Sequence, residues 1–352
     1  MKIVYLHSNK GSIFLLSLWA LVFLSLLAFL SGAMVQQQII ALRKIEERIH
    51  LYDIAEAGIL VAVEAISSSQ ERDLTPSIDS LNDFWADDQV LFKEKELKGG
   101  TFSVCYEEDG QPIKQQKKRY GIIDENRKIN INYVPEDILI GVFSVIGGLD
   151  LDAARALARS VIDWRDEDDN KTGSETNASE GFEYRNSGYA YTPQNKAFST
   201  IEELLFVRGM NSNIFARIRN NITVYSSGKI NVNTAPEAVF MSMGFDAGLT
   251  KKILTLRSGE NRIEGDFDDH LFASPGALYK DLSSYYEVSK REATMIAYVA
   301  SIGLIDVSSN TFQAQSISRL DTGSMYGKIT CIFDKNGAMR YWSTYYTQEE
   351  AL

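Results

Sequence analysis

The chain has 352 residues, and its 47 Asp and Glu outnumber 36 Lys and Arg, for a formal net charge of -11 at pH 7. That length holds two domains beyond a single long helix, and the acid excess disfavours nucleic acid or anionic lipid as a partner, because phosphate binding needs clustered cations. The 2 Cys lie outside any CxxC and the 3 His have no metal-like or triad-like neighbours, and with no nucleophile elbow, P-loop or dinucleotide fingerprint the chain does not read as an enzyme.

Ser12 to Val35 runs without a charge, directly after Lys10-Gly11. At ~1.5 Å of rise per residue this run spans a bilayer. Met1 to Gly11 carries Lys2 and Lys10 and no acid, so the positive-inside bias puts the N-terminal side in the cytoplasm and the rest outside. Three starts fit. A secretory signal would use Ser31-Gly32-Ala33 as its small-residue cleavage site. A plain signal anchor would stay uncut. A prepilin leader would be cut after Gly11, leaving the apolar run in place with Ser12 as the new N-terminus. That third pattern normally has Glu at the fifth mature position, where this chain has Leu16.

Ala33 to Ala57 contains neither Gly nor Pro. Ile39, Leu42, Ile45, Ile49, Tyr52, Ile59, Val63 and Ile66 recur mostly at three- and four-residue steps, which predicts one apolar stripe docking on a soluble body. Arg43 and Glu47 have the spacing to pair on the opposite side. Ser67 to Leu91 is polar, with turn signals at Pro76 and Asp87-Asp88. Thr101 to Glu107 alternates as a strand. A Gly110 turn and a basic stretch with Lys114, Lys117, Lys118 and Arg119 lead to another strand at Tyr120 to Ile123.

An internal repeat follows. Lys128-Ile129-Asn130-Ile131-Asn132-Tyr133-Val134-Pro135-Glu136 aligns with Lys229-Ile230-Asn231-Val232-Asn233-Thr234-Ala235-Pro236-Glu237. Each copy opens a helix, turns at Gly147-Gly148 or Gly244, and predicts a second helix at Asp152 to Trp164 or Leu249 to Arg257. A related unit begins at Ser199. Thr234 with Glu237, and Ser199 with Glu202, have capping-box spacing, and Pro236 suits a first turn. Asp124 to about Ile305 therefore reads as an all-helical domain of helix-turn-helix units. Phe312 to Ile317, Lys328 to Asp334 and Met339 to Tyr346 alternate as strands, the last two joined by an Asn336-Gly337 hairpin turn. Strands on both sides of the helical block predict one sheet interrupted by an insertion and covered by the long helix. Cys105 and Cys331 lie in strands, where both a bridge and two buried thiols fit, the latter being commoner.

The chain resembles the K-class minor pseudopilins of type II secretion (general secretion pathway protein K). The resemblance covers essentially its whole length and rests on motifs in family order. These are the leader with non-acidic Leu16, Asp124-Glu125 before Lys128-Ile129-Asn130-Ile131-Asn132, Asp163-Trp164-Arg165-Asp166, Gly181-Phe182-Glu183-Tyr184, Tyr191-Thr192-Pro193-Gln194-Asn195, Ile201-Glu202-Glu203-Leu204 and Asn231 to Glu237. It implies an α+β, pilin-like fold: a long N-terminal helix on an antiparallel sheet, with a large all-α insertion of helix-hairpin-helix (SAM-like) units. The organisation expected is a leader at 1–11, the membrane part of the helix at 12–35, a first pilin-like segment at 36–123, the insertion at 124–305 and closing strands at 306–352.

The resemblance further implies cleavage and N-methylation at Gly11 and Ser12 by prepilin peptidase, and single-pass anchoring in the inner membrane with a periplasmic body. It places the subunit at the tip of a pseudopilus built on the major pseudopilin, beside two smaller minor pseudopilins of the I and J classes. In relatives the acidic fifth residue is thought to pair with the subunit ahead. Leu16 leaves no costly unpaired carboxylate in an apolar core, which suits a terminal position.

Asp163, Asp166, Glu167, Asp168 and Asp169 crowd the end of a predicted helix, and Glu183 follows. Charge runs are usually solvated. Hard cations, however, take several carboxylate oxygens from such loops. Lys171 and Asn177 break the EF-hand pattern, but calcium is known in the resembled family. Asp166, Asp168, Asp169 and Glu183 are the expected ligands, with Asp163 beside them. Two other functions share features with this sequence. A type IV minor pilin has the leader and helix, and a membrane-anchored DNA-binding protein has similar hairpins. Against the latter, Asp150 and Asp246 occupy the hairpins where phosphate would sit.

Overall fold

The computed structural model describes residues 10–72, 78–107, 118–170, 172–173, 179–322 and 324–348. Residues 1–9 of the expected leader, Pro76, and the Gly110 turn with Lys114 and Lys117 lie outside them.

Helix α1 (Lys10–Arg72) is continuous. Its N-terminal part, including Leu16, Trp19 and Phe29, is exposed, and it is long and apolar enough to cross a membrane. Only its far end docks: Leu51, Ile54, Ala55, Ile59, Ala62, Ala65 and Ile66 are buried. The predicted stripe therefore needs correcting. Ile39, Leu42, Ile45 and Ile49 are exposed, because the buried core begins only at Leu51, with Arg48 over the Tyr346 ring just before it. Nor, among the described residues, do Arg43 and Glu47 form an ion pair.

Short helix α2 (Gln89–Phe92) follows, its N-terminus capped by Asp88. Then come strands β1 (Lys95–Leu97), β2 (Gly100–Val104), β3 (Tyr106–Glu107), β4 (Lys118–Arg119) and β5 (Ile123–Asp124). The predicted strand through Glu107 breaks at Cys105, after which β3 pairs with β4 alone. The predicted strand at Tyr120 is reduced to β5. After the helical block come β10 (Thr311–Leu320), β11 (Tyr326–Asp334) and β12 (Met339–Thr347). The antiparallel order is β1-β2-β10-β11-β12, with β5 also on β10.

Side chains alternate across this sheet. Phe102, Val104, Phe312, Ala314, Ile329, Cys331 and Phe333 face α1 and share a core with Ile59, Ile66, Trp85 and Phe92. Gly58 makes the contact close: a Cβ there would lie 2.2 Å from Ser316 Oγ and 2.8 Å from Phe102. Cys105 and Cys331 are both free and buried. The Asp334–Gly337 turn forms as expected, with Asp334 Oδ1 accepting from the Asn336 and Ala338 amides.

The block between β5 and β10 consists of two similar halves. The first runs through β6 (Ile129–Asn130), α3 (Glu136–Gly141), a π-helical turn at Val142–Ile146, α4 (Leu151–Arg165), α5 (Glu180–Asn186), a 3-10 segment at Ile201–Phe206, α6 (Ser212–Ile218) and β7 (Ile222–Thr223). The second runs through β8 (Ile230–Asn231), α7 (Glu237–Ser242), α8 (Ala247–Arg257), α9 (Ala277–Tyr285), α10 (Lys290–Ser301) and β9 (Ile305–Asp306). Each opening strand pairs in parallel with its own closing strand, β6 with β7 and β8 with β9. The expected all-helical block thus contains two small ladders, which let each half's first strand end its backbone hydrogen bonds on its last.

The repeated motif has a structural job in each half. Asn132 exchanges two hydrogen bonds with the Phe198 backbone, and Asn233 does the same with Phe272. Arg165 donates to the carbonyls of Ile131 and Val134; Arg257 donates to those of Val232 and Ala235. The halves meet where α3 crosses α7, at Gly141, whose added Cβ would fall 2.0 Å from the Ser242 carbonyl oxygen.

Neither expected capping box forms. Thr234 donates instead to Asp124, and α7 begins at Pro236 without a side-chain cap. Glu203, not Glu202, accepts from the Ser199 amide. A capping box does form at Ser289 and Glu292, at the start of α10.

A buried polar joint ties the sheet to the second half. The Asp124 carboxylate accepts from the Asn126 amide, Asn231 Nδ2, Thr234 Oγ1 and Ser309 Oγ. Beside it, buried Asp79 is ion-paired to Lys335 at 2.9 Å and accepts from the Ser309 amide. Burial pushes the Asp124 carboxyl up to about 6, while the Thr234 and Ser309 hydroxyls oppose the rise.

Candidate metal centre

Helix α4 sets the first part of the centre. Asp150 caps its N-terminus, accepting from the Asp152 and Ala153 amides, and the apolar face of the helix fixes its rotation with Leu157, Val161 and Trp164 buried. Asp163 then points inward and Asp166 terminates the helix. Trp164 stacks on Phe198 at 6.1 Å and meets Tyr184 of α5 at 6.2 Å. These aromatic contacts fix the start of α5 against the end of α4.

Asp163, Asp166 and Glu180 come together there. One carboxylate oxygen from each lies within 4.8 Å of the others. Asp163 and Glu180 are buried, at 4 % and 1 % exposure. Asp163 Oδ1 accepts from the Thr172 amide at 2.8 Å. Both Glu180 oxygens and Asp166 Oδ1 are buried with no hydrogen-bond partner. Unpaired buried carboxylates are costly. Burial first, and then Asp163, Asp166, Asp169 and Asp168, push Glu180 up to about 8. Burial, then Asp168 and Asp163, push Asp166 up to about 6. Arg165, the adjacent cation, is turned to the Ile131 and Val134 carbonyls.

The other expected ligands stand differently. Asp168 and Asp169 are exposed and are taken up in shaping the loop. Asp168 Oδ1 accepts from the Asn170 amide, and Asp169 accepts from Ser179 Oγ and the Gly181 amide. They are near enough to raise Glu180 but are not in the three-carboxylate group. Glu183 lies on α5, and its side chain is outside the described ones. Glu180 was missed by sequence reasoning. Its signal was an acid at a helix start following the acidic run, and Glu183 offered the same signal.

The chemistry of the set is all oxygen. Three carboxylates, with no Cys or His among them, suit a hard divalent cation.

A second acidic group, Asp266, Asp268 and Asp269, occupies the matching place in the second half, after α8. Here most of the charge is met by the loop itself, although Asp269 Oδ1 is buried without a partner and burial pushes that carboxyl up to about 6. Asn261 Nδ2 donates at 2.7 Å to both Asp266 and Asp268, and the Glu260, Asn261 and Gly265 amides donate to Asp268 and Asp269. The two halves therefore share a loop position and an unpartnered Asp oxygen, but the second loop supplies its acids with more donors.

Residues 142–227 match the family model described as type II secretion system protein K. The match spans α4, the carboxylate group, α5, α6 and β7. Among solved structures, the chain is similar to a chain of the GspK-GspI-GspJ complex from the enterotoxigenic Escherichia coli type 2 secretion system. The identity is 15 %, the TM-score is 0.60, and the match covers 88 % of this chain and 99 % of that one. This likeness shows a shared fold: long helix, antiparallel sheet and helical insertion. No curated protein matches the chain.

Proposed function

We propose that this chain, a minor pseudopilin of the type II secretion system of the protein K kind, stands at the tip of the pseudopilus. The observation that carries the placement is Leu16. It is an exposed apolar residue in the anchoring part of α1, at the position where a pilin-type leader would set an acid. A subunit without that carboxylate can join those below it and needs no amine from one above, since an unmatched charge among packed apolar helices is costly.

The anchoring helix is compatible with a single pass through the inner membrane, and the body would then stand in the periplasm. The similar complex pairs GspK with GspI and GspJ. By analogy, the two smaller minor pseudopilins are the first partners of this chain, with the major pseudopilin below them. The role is structural: initiating or capping assembly for export. Nucleic acid is a poor fit, because the Asp150 and Asp246 side chains already accept from the hairpin helix amides.

Asp163, Asp166 and Glu180 would hold a calcium ion, which would supply the positive charge that the buried carboxylates lack. Asp168 and Asp169 would add to its field.

Processing tests the reading. Prepilin peptidase would cut after Gly11 and methylate Ser12. Gly11→Val should leave the precursor uncut on a gel shift, and normal maturation of that variant would refute a prepilin-type leader.

A further inference from the structure

The sheet face turned away from α1 is roofed by the helical domain. Between them lies an open cleft of about 420 Å³. Gln313, Gln315, Lys328 and Thr330 line it from the sheet, and Arg127, Lys128 and Arg219 also line it. Lys128 is committed, its Nζ bound to Glu125 at 2.5 Å and to Gln313 at 2.9 Å. The other three cations are not. Arg127 is 8 % exposed and its Nε has no hydrogen-bond partner. No ion pair joins Arg219 or Lys328 to any described residue.

Glu107 and Glu202 also line the cleft, as does Glu125, which is paired with Lys128, so four cations face three acids there, in a chain whose net charge is -11. Burial, with Arg219 adding to it, holds the Lys328 ammonium below its ordinary value, against Cys105 and Glu107. An incoming anion would offset that cost. Beside apolar residues such as Ile201, Phe215 and Ile332, the neutral lining includes amides and hydroxyls, among them Tyr225, Tyr341 and Ser343, and these suit the remaining lone pairs of a carboxylate.

Tyr341 and Ser343 belong to β12, which ends the sheet. Its outer edge pairs with no described strand. It is nine residues long, has no Pro, carries Arg340 as its only charge, and is bulged only near its start. Edges left this open are usually blocked or used. A strand added here would satisfy its own backbone along β12.

We propose that the cleft binds a carboxylate carried by an extended segment of a second polypeptide, whose backbone pairs with the open edge of β12. The inference is independent of the metal centre and of the tip position.

The test is calorimetric titration of the full chain in detergent with three probes. They are a short synthetic peptide alternating Glu and Val, its Gln-for-Glu counterpart, and glutarate. The acidic peptide should bind at least about tenfold more tightly than either of the other two. The Lys328→Gln, Arg219→Gln double variant should weaken it by about tenfold or more. Equal binding of the Gln peptide, or of the double variant, would overturn the proposal. Glutarate binding as tightly as the peptide would show a free-anion site and overturn the strand. Should the variant misfold, acetic anhydride labelling of the unaltered chain replaces it. The acidic peptide should slow labelling of Lys328 relative to exposed Lys280, and unchanged labelling would overturn the proposal.

Discussion

Buried carboxylates follow two different rules in this molecule. Asp124 is ringed by four donors, whereas Glu180 has none, so one is a finished structural joint and the other carries an unmet need for donors that the proposed calcium would fill. Calcium over chelator should therefore raise the melting temperature, by mass action worth about 3 kcal/mol at a hundredfold excess over Kd. Glu180→Gln should abolish most of that rise while leaving the chelated protein at least as stable, and an undiminished calcium shift would remove Glu180 from the centre. Asp124 gives a pH prediction. Its folded value, about 6, lies above the ordinary 3.8, so the folded state holds the proton more tightly. The stability this adds is present at low pH and is lost as pH rises from about 4 to about 6. In denaturant titrations the advantage of the native chain over Asp124→Asn should shrink across that window by up to about 3 kcal/mol; a growing advantage would contradict it. The acidic run was legible in the sequence, because five acids crowd one segment. The choice of Glu180 over Glu183 was not, because it depends on where α5 begins, and helix starts are poorly fixed by composition.

At the scale of elements, α1 does two jobs along one rod. Its docked end is shaped to the sheet by Gly58, and a Cβ 2.2 Å from Ser316 Oγ leaves no room. Gly58→Ala gains up to about 1 kcal/mol of helix propensity, but the overpacking outweighs it. The net loss should be about 1–2 kcal/mol by chemical denaturation, and a stabilised variant would show that the contact is loose. The apolar period of α1 was readable, but where docking stops was not. Ile39 and Ile49 look like Ile59 in sequence, and only the extent of the body separates them. The repeat was readable from Lys128 to Glu136 and Lys229 to Glu237, and its paired Asn and Arg contacts follow from it. The two-residue ladders were not, since pairs such as Ile222–Thr223 are too short to carry a period. Thr234 kept its capping spacing, but the buried Asp124 carboxylate competed more strongly for its hydroxyl.

For the whole molecule, a largely bare apolar rod leads into a body in which the pilin-type sheet carries a duplicated helical block. The exposed run from Ile39 to Ile49 continues the membrane segment outward. Such a surface suits lateral packing against the rods of neighbouring subunits, and Leu16 suits a place with nothing above it. Native mass spectrometry of the assembly extracted from membranes tests this most directly, because one spectrum reports both the processed mass and the neighbours. The prediction is one copy of this chain, beginning at methylated Ser12, bound to one copy of each of two smaller minor pseudopilins. A chain that begins at Met1 or near Met34, or that is found alone, would contradict it.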